Sequence, residues 1–487
     1  MAVLDIQIVA SSLPEIQAAL HIPLDRLDWV QTSYLSAEIV AIPLTGWISG
    51  ALSTRGAFVL CVLGFTAASA GCAAANGFWT LVWVRAVQGF FGGFLIPLVF
   101  SAVFQMFEDG PRRVRATMLA GVLAMLAPTL GPSVGGFVAA RYSWHWLFLI
   151  NLPPGLAVAA LAGCALPAGG AEGRRLAGID LAAAPLLALF LAGVQIILSE
   201  APARGWRSPG MLALSALSLA SGVLVILRCA GHRAPLIRLS AFRNRDFTLG
   251  CLFSFTLGVG LYGATYLLPL FLGIVRGHDP FEIGLIMIVT GAAELLTAPL
   301  ATMLERRIDP RWLAAFGYAL FAAGLLGNGF MRPADDFWQL AWQQAARGAA
   351  LMLCLLPTTS FALGAFPPDS VANASGLFNL LRNLGGAIGL AVVNTLINER
   401  TPAHVAALVA RLEAGDPAAA RFVGLPLDRF HGHPIGPVDQ ATRDLVAPLV
   451  EHAGLTLSLN EAWLLVGGLV LASLLFVPFV RRQPRYD

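Results

Sequence analysis

The sequence predicts an all-α polytopic membrane protein with fourteen transmembrane helices. Of its 487 residues, 57% are hydrophobic and only 12% are charged, whereas an average soluble domain has roughly 25% charged residues. Apolar runs of about 20 residues, the length that a helix needs to cross a bilayer, recur along the chain. Arginines gather in every second connection between these runs, which is the charge pattern of a protein that crosses a membrane repeatedly.

The first six runs give six predicted spans. They lie near residues 1–17, 29–51, 56–76, 78–105, 116–139 and 145–167. The first run is short for a span, because only four residues precede Asp5 and Pro14 interrupts the run soon afterwards. We therefore expect roughly 10 to 20 further residues upstream of Met1, since a complete span requires them.

The remaining runs give eight further spans. They lie near residues 179–198, 210–229, 247–274, 282–304, 312–330, 338–364, 372–397 and 462–480. A long connection over residues 399–460 separates the last two spans. Apolar side chains recur within it at helical spacing, at Val405, Leu408, Val409 and Leu412, which predicts an amphipathic helix. Such a helix lies on the membrane surface or against a partner; a solvated loop without a partner is the alternative.

The distribution of arginine predicts the orientation in the membrane. If the N-terminus is cytoplasmic, the short loops and the tail on that side carry 17 of the 31 arginines, and the short loops on the other side carry six. The positive-inside rule then places both termini in the cytoplasm and the 399–460 connection outside. The net charge of only +3 and the lack of any basic block give no reason to expect nucleic acid as a partner.

The chain contains an internal repeat. AEIVAIPL at residues 37–44 recurs as AELLTAPL at 293–300, an offset of 256, and FWTLVW at 78–83 recurs as FWQLAW at 337–342, an offset of 259. Both offsets equal eight predicted spans, so the repeated units have the same orientation in the membrane. Parallel repeats of six helices around a central pathway are the architecture of the major facilitator transporters.

The predicted units are an N-terminal six-helix half at 1–170, an inserted pair of helices at 171–246, and a C-terminal six-helix half at 247–487 with a long periplasmic loop at 399–460.

The fifth predicted span carries a glycine-rich motif. APTLGPSVGGF at residues 127–137 contains Gly131, Pro132, Gly135 and Gly136. Glycines four residues apart let a neighbouring helix approach closely, and the proline allows a bend, so the motif by itself indicates a packing and hinge element. GPSVGG also resembles the antiporter signature on the fifth helix of major facilitator drug exporters. This resemblance implies a conformational role for the four residues.

Other stretches resemble the 14-span drug:proton antiporters of the EmrB/QacA type. LDIQIVASSLP at residues 4–14 is similar to their first-helix motif, and RAVQG at residues 85–89 matches their fourth-helix motif. WHWLFLINLPPG at residues 144–155 and RNLGGAIG at residues 382–389 also resemble stretches of this family. The resemblance therefore covers essentially the whole chain. It departs from the family at Gln7, where the first-helix motif usually has Thr.

The resemblance implies residues for proton coupling. Asp5 matches the first-helix acid of the family, and Arg85 and Gln88 lie in the motif that the family associates with proton transfer. Charged groups inside a span also require an explanation on physical grounds, because each costs roughly 2.5 to 3.5 kcal/mol at the centre of a membrane helix. A fixed structural contact is the alternative interpretation of Asp5 and Arg85.

The other charged residues inside spans predict a substrate pathway. Glu38 and Glu294 occupy equivalent positions in the repeat, so we expect each to face a similar part of a central cavity; a packing role is the alternative. Arg347, Arg382 and Asn383 also lie within spans and are assigned to the same pathway. Hydrogen bonding between helices is an equal alternative for the two arginines.

Together these features predict a proton-coupled exporter, a drug:H⁺ antiporter that moves amphipathic or toxic small molecules out across the bacterial inner membrane. A proton-coupled importer of the same fold and a transporter-like sensor are the alternatives. The sequence has no metal-ligand cluster, nucleophile constellation or phosphate-binding glycine loop. We therefore expect no enzyme activity, metal or cofactor, with the proton gradient as the energy source. Besides the lipid bilayer, the resemblance implies a periplasmic adaptor (membrane fusion protein) and an outer-membrane channel as partners.

Overall fold

A computed structural model describes most of the chain. The described residues are 1–22, 26–27, 29–107, 111–166, 180, 183–232, 235–364, 366–426 and 440–481. All regular secondary structure within these residues is helical. The backbone is described at Pro132 and Gly136, but the surroundings of these two residues are not.

Nine α-helices belong to the predicted N-terminal half where the structure describes it. They are α1 (Ala2–Ser11), α2 (Leu13–Leu20), α3 (Trp29–Ala41), α4 (Thr45–Ala73), α5 (Phe78–Gly93), α6 (Leu95–Met106), α7 (Pro111–Arg141), α8 (Trp146–Leu149) and α9 (Leu152–Ala165). A single 3₁₀ turn, Ile42–Leu44, joins α3 to α4 and contains Pro43. Helix α4 is broken at Ser53, where the backbone has φ 68° and ψ 161°. The predicted spans 29–51 and 56–76 therefore meet at this break.

The rest of the chain continues in the same way. The helices are α10 (Ala183–Arg204), α11 (Pro209–Gly231), α12 (Arg245–Leu270), α13 (Pro280–Arg307), α14 (Pro310–Gly327), α15 (Phe337–Leu363), α16 (Pro368–Glu413), α17 (Pro417–Val423) and α18 (Gln440–Ser473). Capping boxes begin α13 and α15, in which Asp279 pairs with Glu282 and Asp336 pairs with Gln339. Each box satisfies two backbone N–H groups that a helix start leaves free, so these two starts are well defined.

Eleven helical stretches in the described residues are long and apolar enough to cross a membrane. One of them, Trp29–Ala73, has 45 residues, far more than the roughly 20 that one crossing needs. The predicted spans 1–17 and 116–139 coincide with α1–α2 and with α7, which are not among the eleven. The structure thus shows a polytopic helical membrane protein, and the number of fourteen crossings stays a prediction.

Helix contacts in the N-terminal half recur in the C-terminal half at the offsets of the sequence repeat. Helix α5 packs along α3, and α15 packs along α13. A Cβ added to Gly89 would overlap the carbonyl oxygen of Tyr34, and one added to Gly348 would overlap the carbonyl oxygen of Thr290. The positions of Tyr34 and Thr290 differ by 256, and those of the two glycines differ by 259. The same close backbone approach is therefore built twice.

Helices of the two predicted halves meet directly. Helix α7 packs along α13, and α16 packs against α4 and α6. Helix α10 packs against α11 and also contacts α3 and α16. Ser199 Oγ on α10 lies 2.8 Å from Thr32 Oγ1, and Trp206, just after the end of α10 at Arg204, donates from Nε1 to Thr395 Oγ1 at 2.9 Å. The inserted pair is thus attached to both halves through α10.

The connection at 399–460 is largely helical where it is described. Helix α16 continues through the predicted amphipathic segment to Glu413, and α18 begins at Gln440. Leu408 and Leu412 are buried in one apolar cluster with Val450 and Ala453 of α18. The predicted amphipathic helix is therefore present, and its apolar face packs on a neighbouring helix of the same chain. The alternative, a solvated loop, is wrong over this part. We call α17 together with the extensions of α16 (399–413) and α18 (440–460) the helical hairpin.

Candidate functional site

Five buried polar side chains form a cluster in the N-terminal half, which we call the Asp5 cluster. Asp5 comes from α1, Ser69 from α4, Arg85 and Gln88 from α5, and Asn151 from the turn before α9. None of the five is more than 2% exposed. Arg85 and Gln88 reach the same neighbours because residues three apart lie on one face of a helix. The structure thus brings together the three residues that were predicted for proton coupling.

The Asp5 carboxylate accepts hydrogen bonds from three side chains. Arg85 Nη1 donates to Oδ2, Gln88 Nε2 donates to Oδ1 at 3.0 Å, and Asn151 Nδ2 donates to Oδ1 at 2.6 Å. Gln88 is itself held by a bond from its Nε2 to Ser69 Oγ at 2.7 Å. An ionised carboxylate accepts all of these bonds, whereas a protonated one becomes partly a donor. These bonds tie α1 to α5 and to the turn before α9.

Arg85 is bound by more than the carboxylate. Its Nε donates to the carbonyl oxygen of Val30 at 3.2 Å, and its Nη1 donates to Gln88 Oε1 at 2.7 Å. The guanidinium carbon lies 4.4 Å from the centre of the Tyr34 ring, within the range of a cation–π contact. Its Nη2 has no hydrogen-bond partner among the described residues. The cation is thus fixed to α3 and α5, while one donor is left for another group.

A cavity lies beside this cluster, between the two predicted halves. Helices α1, α3, α5, α6 and α7 contribute to its wall on one side, and α12 and α16 contribute on the other. Its polar lining consists of Gln7, Glu38, Tyr262, Thr265, Asn379, Arg382 and Asn383. Tyr262 donates from its hydroxyl group to Asn383 Oδ1 at 3.1 Å. The remaining lining is apolar or glycine, so the cavity suits a ligand that is partly apolar and partly polar.

Helix α3 links the cavity to the Asp5 cluster. Glu38 lines the cavity, and Tyr34, one turn earlier on α3, lies against the Arg85 guanidinium. A Cβ on Gly93 would overlap the carbonyl oxygen of Glu38, so α5 touches α3 at this level too. A ligand that moves α3 in the cavity would therefore also act on Arg85.

Glu294 and Arg347 lie apart from the described lining of this cavity. Glu294 is fully buried on α13, and neither of its carboxylate oxygens has a hydrogen-bond partner among the described residues. Arg347 Nη1 donates to Gln344 Oε1 at 2.5 Å, and its guanidinium lies 5.5 Å from the Trp463 ring centre. At the repeat offset of 259, Gln344 corresponds to Arg85 and Arg347 to Gln88. The arginine–glutamine bond thus recurs in the second half with the two residue types exchanged.

The glycine motif of the fifth predicted span lies against the first helix. A Cβ on Gly131 would overlap the Cβ of Gln7 on α1, and Gly135 is also buried. These contacts fit the packing interpretation of the motif. The surroundings of Pro132 and Gly136 lie outside the described residues, so their conformational role stays a prediction.

Several residues of the site were not predicted from the sequence, among them Asn151, Ser69 and Tyr262. Asn151 and Ser69 belong to the Asp5 cluster, and Tyr262 lines the cavity. Asn151 lies in the WHWLFLINLPPG stretch, where a polar residue between apolar runs is a usable signal. Ser69 and Tyr262 have no such signal, because serine and tyrosine are common in membrane helices without any function.

Comparisons with known proteins agree with the helical architecture. The family described as Major Facilitator Superfamily matches residues 1–390. The chain is 36% identical over 406 residues to the colistin resistance protein EmrB of Acinetobacter baumannii, which covers 83% of this chain and 79% of that protein. It is 29% identical over 486 residues to the multidrug export protein EmrB of Escherichia coli, covering 99% and 93%.

A solved structure of the proton:xylose symporter XylE, bound to 6-bromo-6-deoxy-D-glucose, matches with a TM-score of 0.58. The match covers 99% of this chain and 94% of that one at 14% sequence identity. At such low identity the likeness shows the fold alone.

Proposed function

Because this chain belongs to the major facilitator superfamily and, within it, to the EmrB-type proteins, we propose that it is a proton-coupled exporter of amphipathic or toxic small molecules. The observation that carries this proposal is the Asp5 cluster, a buried carboxylate held by three side-chain donors beside a cavity of mixed lining. A carboxylate buried in this way can bind or release a proton while it is closed to the water on at least one side of the membrane. It is therefore suited to carry a proton through a transport cycle.

The proposed arrangement has fourteen crossings in two six-helix halves with an inserted pair between them. The break at Ser53 supports two crossings within Trp29–Ala73, and α7 and α1–α2 coincide with two further predicted spans. In this arrangement both termini lie in the cytoplasm, and the protein lies in the bacterial inner membrane. The positive-inside rule supports that orientation.

Exchange follows from linkage between the two sites. Ionised Asp5 holds α1 to α5 through Arg85 and Gln88, and a proton on Asp5 weakens this attachment. Substrate in the cavity acts on the same helices through Glu38 and Tyr34. Two ligands that bias the same helix packing in opposite directions each lower the affinity for the other. The proton gradient then drives export without a bound cofactor or metal.

The proposed partners outside the membrane are a periplasmic adaptor and an outer-membrane channel. The helical hairpin is the surface that supports this part of the proposal, because it extends α16 and α18 beyond the length that a bilayer requires. Leu445 on this hairpin is 77% exposed. Leu449, one turn later, is 42% exposed, and an exposed apolar pair on a helix that extends beyond the bilayer is suited to contact another protein.

The test uses everted membrane vesicles in which respiration acidifies the lumen. We expect substrate added at the cytoplasmic face to release luminal protons in vesicles with the native protein. Asp5→Asn cannot exchange a proton and is expected to abolish proton-driven export of every substrate, whereas Asp5→Glu keeps a titratable group and is expected to retain part of it. Proton release by Asp5→Asn at normal expression would contradict the proposed coupling. Substrate and protons leaving the lumen together would indicate an importer instead.

A further inference from the structure

Three arginines are buried in the part of the bundle that the structure describes, and they differ in which groups accept their hydrogen bonds. Arg85 is bound to Asp5 and Arg347 to Gln344, although each leaves one nitrogen, Nη2 and Nε respectively, without a partner among the described residues. Arg382 is only 4% exposed, yet its Nε and Nη2 have no hydrogen-bond partner among the described residues. Its guanidinium carbon lies 5.3 Å from the Phe378 ring centre, a contact that engages the face of the cation but accepts none of its N–H groups. A buried cation with unsatisfied donors is costly unless an acceptor joins it.

The position of Arg382 directs this cation into the cavity. A Cβ on Gly258 of α12 would overlap the carbonyl oxygen of Arg382, so the backbone of α16 is held closely at this residue. The side chain lines the cavity together with Asn379 and Asn383, one turn before it and next to it on α16. The missing acceptor is therefore best supplied by a molecule in the cavity.

We propose that Arg382 binds the acidic group of the transported molecule, so that the substrates are amphipathic compounds with a single carboxylate. This inference rests on the proposed export function and adds the substrate class. A guanidinium presents two parallel N–H donors that match the two oxygens of a carboxylate. The apolar part of the lining, which includes Ile42 and Ile96, receives the rest of the molecule. Glu38 faces the same cavity from α3 and disfavours a second negative charge on the ligand.

The experiment compares two probes that share one ring system, naphthaleneacetate and its uncharged primary amide. Their affinities are measured by calorimetry on purified full-length protein, and their export is measured in vesicles. Arg382→Gln is expected to weaken binding of the carboxylate roughly tenfold to a hundredfold, as for loss of a hydrogen bond to a charged group, and to leave the amide within about twofold. Arg382→Lys keeps the charge but loses the paired donors, so we expect an intermediate loss.

Arg347→Gln is the matched control, because it removes a buried arginine that is not part of the described cavity lining. It is expected to change the affinity for both probes by the same factor. Equal losses for both probes in Arg382→Gln, or a native protein that binds the amide as tightly as the carboxylate, would overturn the inference. Export of the uncharged amide by the native protein would then still support the proposed function, and absence of proton-driven export for any compound would overturn the function itself.

Discussion

Glu38 and Glu294 occupy equivalent places in the sequence repeat but have different surroundings. Glu38 lines the cavity between the halves, whereas Glu294 is buried on α13 outside the described lining. The difference shows that equivalent positions in a repeat need not give two side chains the same neighbours. At this scale, the environment of each carboxylate decides whether it faces the cavity.

This difference predicts separate effects of two matched substitutions. Glu38→Gln removes a negative charge from the cavity, so we expect it to lower the affinity for a cationic probe about fivefold or more relative to a neutral probe, a factor within the range of typical coupling energies. Glu294→Gln is expected to change both affinities equally. Binding of both probes to purified variants measures this. Selective loss of cation binding in Glu294→Gln, with none in Glu38→Gln, would contradict this prediction. It would show that Glu294, and not Glu38, acts on the bound cation.

At the scale of helices, glycine contacts determine whether the coupling residues can meet. Gly89 lies one residue after Gln88 and lets α5 touch the backbone of α3 at Tyr34. The same close approach brings Arg85 near α3, where its Nε donates to the Val30 carbonyl oxygen at 3.2 Å. The geometry of the Asp5 cluster thus depends on a residue that has no chemistry of its own.

Gly89→Ala is therefore expected to impair coupling although every ionisable residue remains. The added methyl group overpacks the contact with α3, which typically costs about 1 to 3 kcal/mol of stability. We expect a lower thermal unfolding temperature in detergent and reduced substrate-induced proton release in vesicles. Gly163→Ala on α9 is the control, since a Cβ there meets nothing within 4 Å. Normal proton release by Gly89→Ala would show that the α3–α5 contact is not needed for coupling.

The helical hairpin is a second element with a separable role. It is held by Leu408, Leu412 and Val450 in its apolar cluster. Arg400 reinforces it by donating from Nε and Nη2 to the two carboxylate oxygens of Glu461, at 2.8 Å each. Its outer face has Leu445 and Leu449 one turn apart, with exposed fractions of 77% and 42%. A rigid element with an exposed apolar pair is suited to docking.

Replacing both leucines with aspartate is expected to abolish cross-linking to a periplasmic adaptor and to lower resistance of whole cells. Transport by purified protein in liposomes is expected to stay normal, because both side chains lie outside the cavity and the Asp5 cluster. Val409→Asp, on the α16 side of the hairpin and 40% exposed, is the control. Unchanged cross-linking by the double variant at equal expression would exclude this face as the docking surface.

For the whole molecule, the sequence predicted the architecture better than the contacts. Apolar runs and arginine placement predicted the helices, because both follow from the bilayer as a solvent. Family resemblance predicted Asp5, Arg85 and Gln88, which the structure brings together. Asn151 was missed because its partner is far away in the sequence. The amphipathic helix of the 399–460 connection was predicted from the spacing of its apolar residues, but the surface that it packs on was not, because that surface belongs to α18, a separate segment of the same chain.

The stability of the whole molecule is expected to depend on pH through a clamp on the face that is external in the proposed orientation. His278 lies between α12 and α13, and its Nδ1 and Nε2 lie 3.0 Å from Glu282 and from Asp336 at the start of α15. A neutral imidazole has a single donor, so both bonds require the charged form. Partial burial opposes that charge, but the hydrogen bonds to Glu282 and Asp336 raise the pKa of His278 above its usual 6.5.

A histidine with a raised pKa stabilises the folded state fully below pH 6.5, its unfolded value, and this contribution disappears as the pH rises through the folded pKa. We therefore expect His278→Ala to lower the thermal unfolding temperature at pH 5.5 and to make progressively less difference from about pH 6.5 upward. The Arg276 Nη2 bond to Asp336, at 2.9 Å, remains in the variant and keeps α15 attached. Unfolding of both proteins in detergent between about pH 5 and 9 measures this. A difference between them that stays constant over the range would show that His278 does not titrate in the clamp, and the three helix ends would then be held by Arg276 and the helix caps alone.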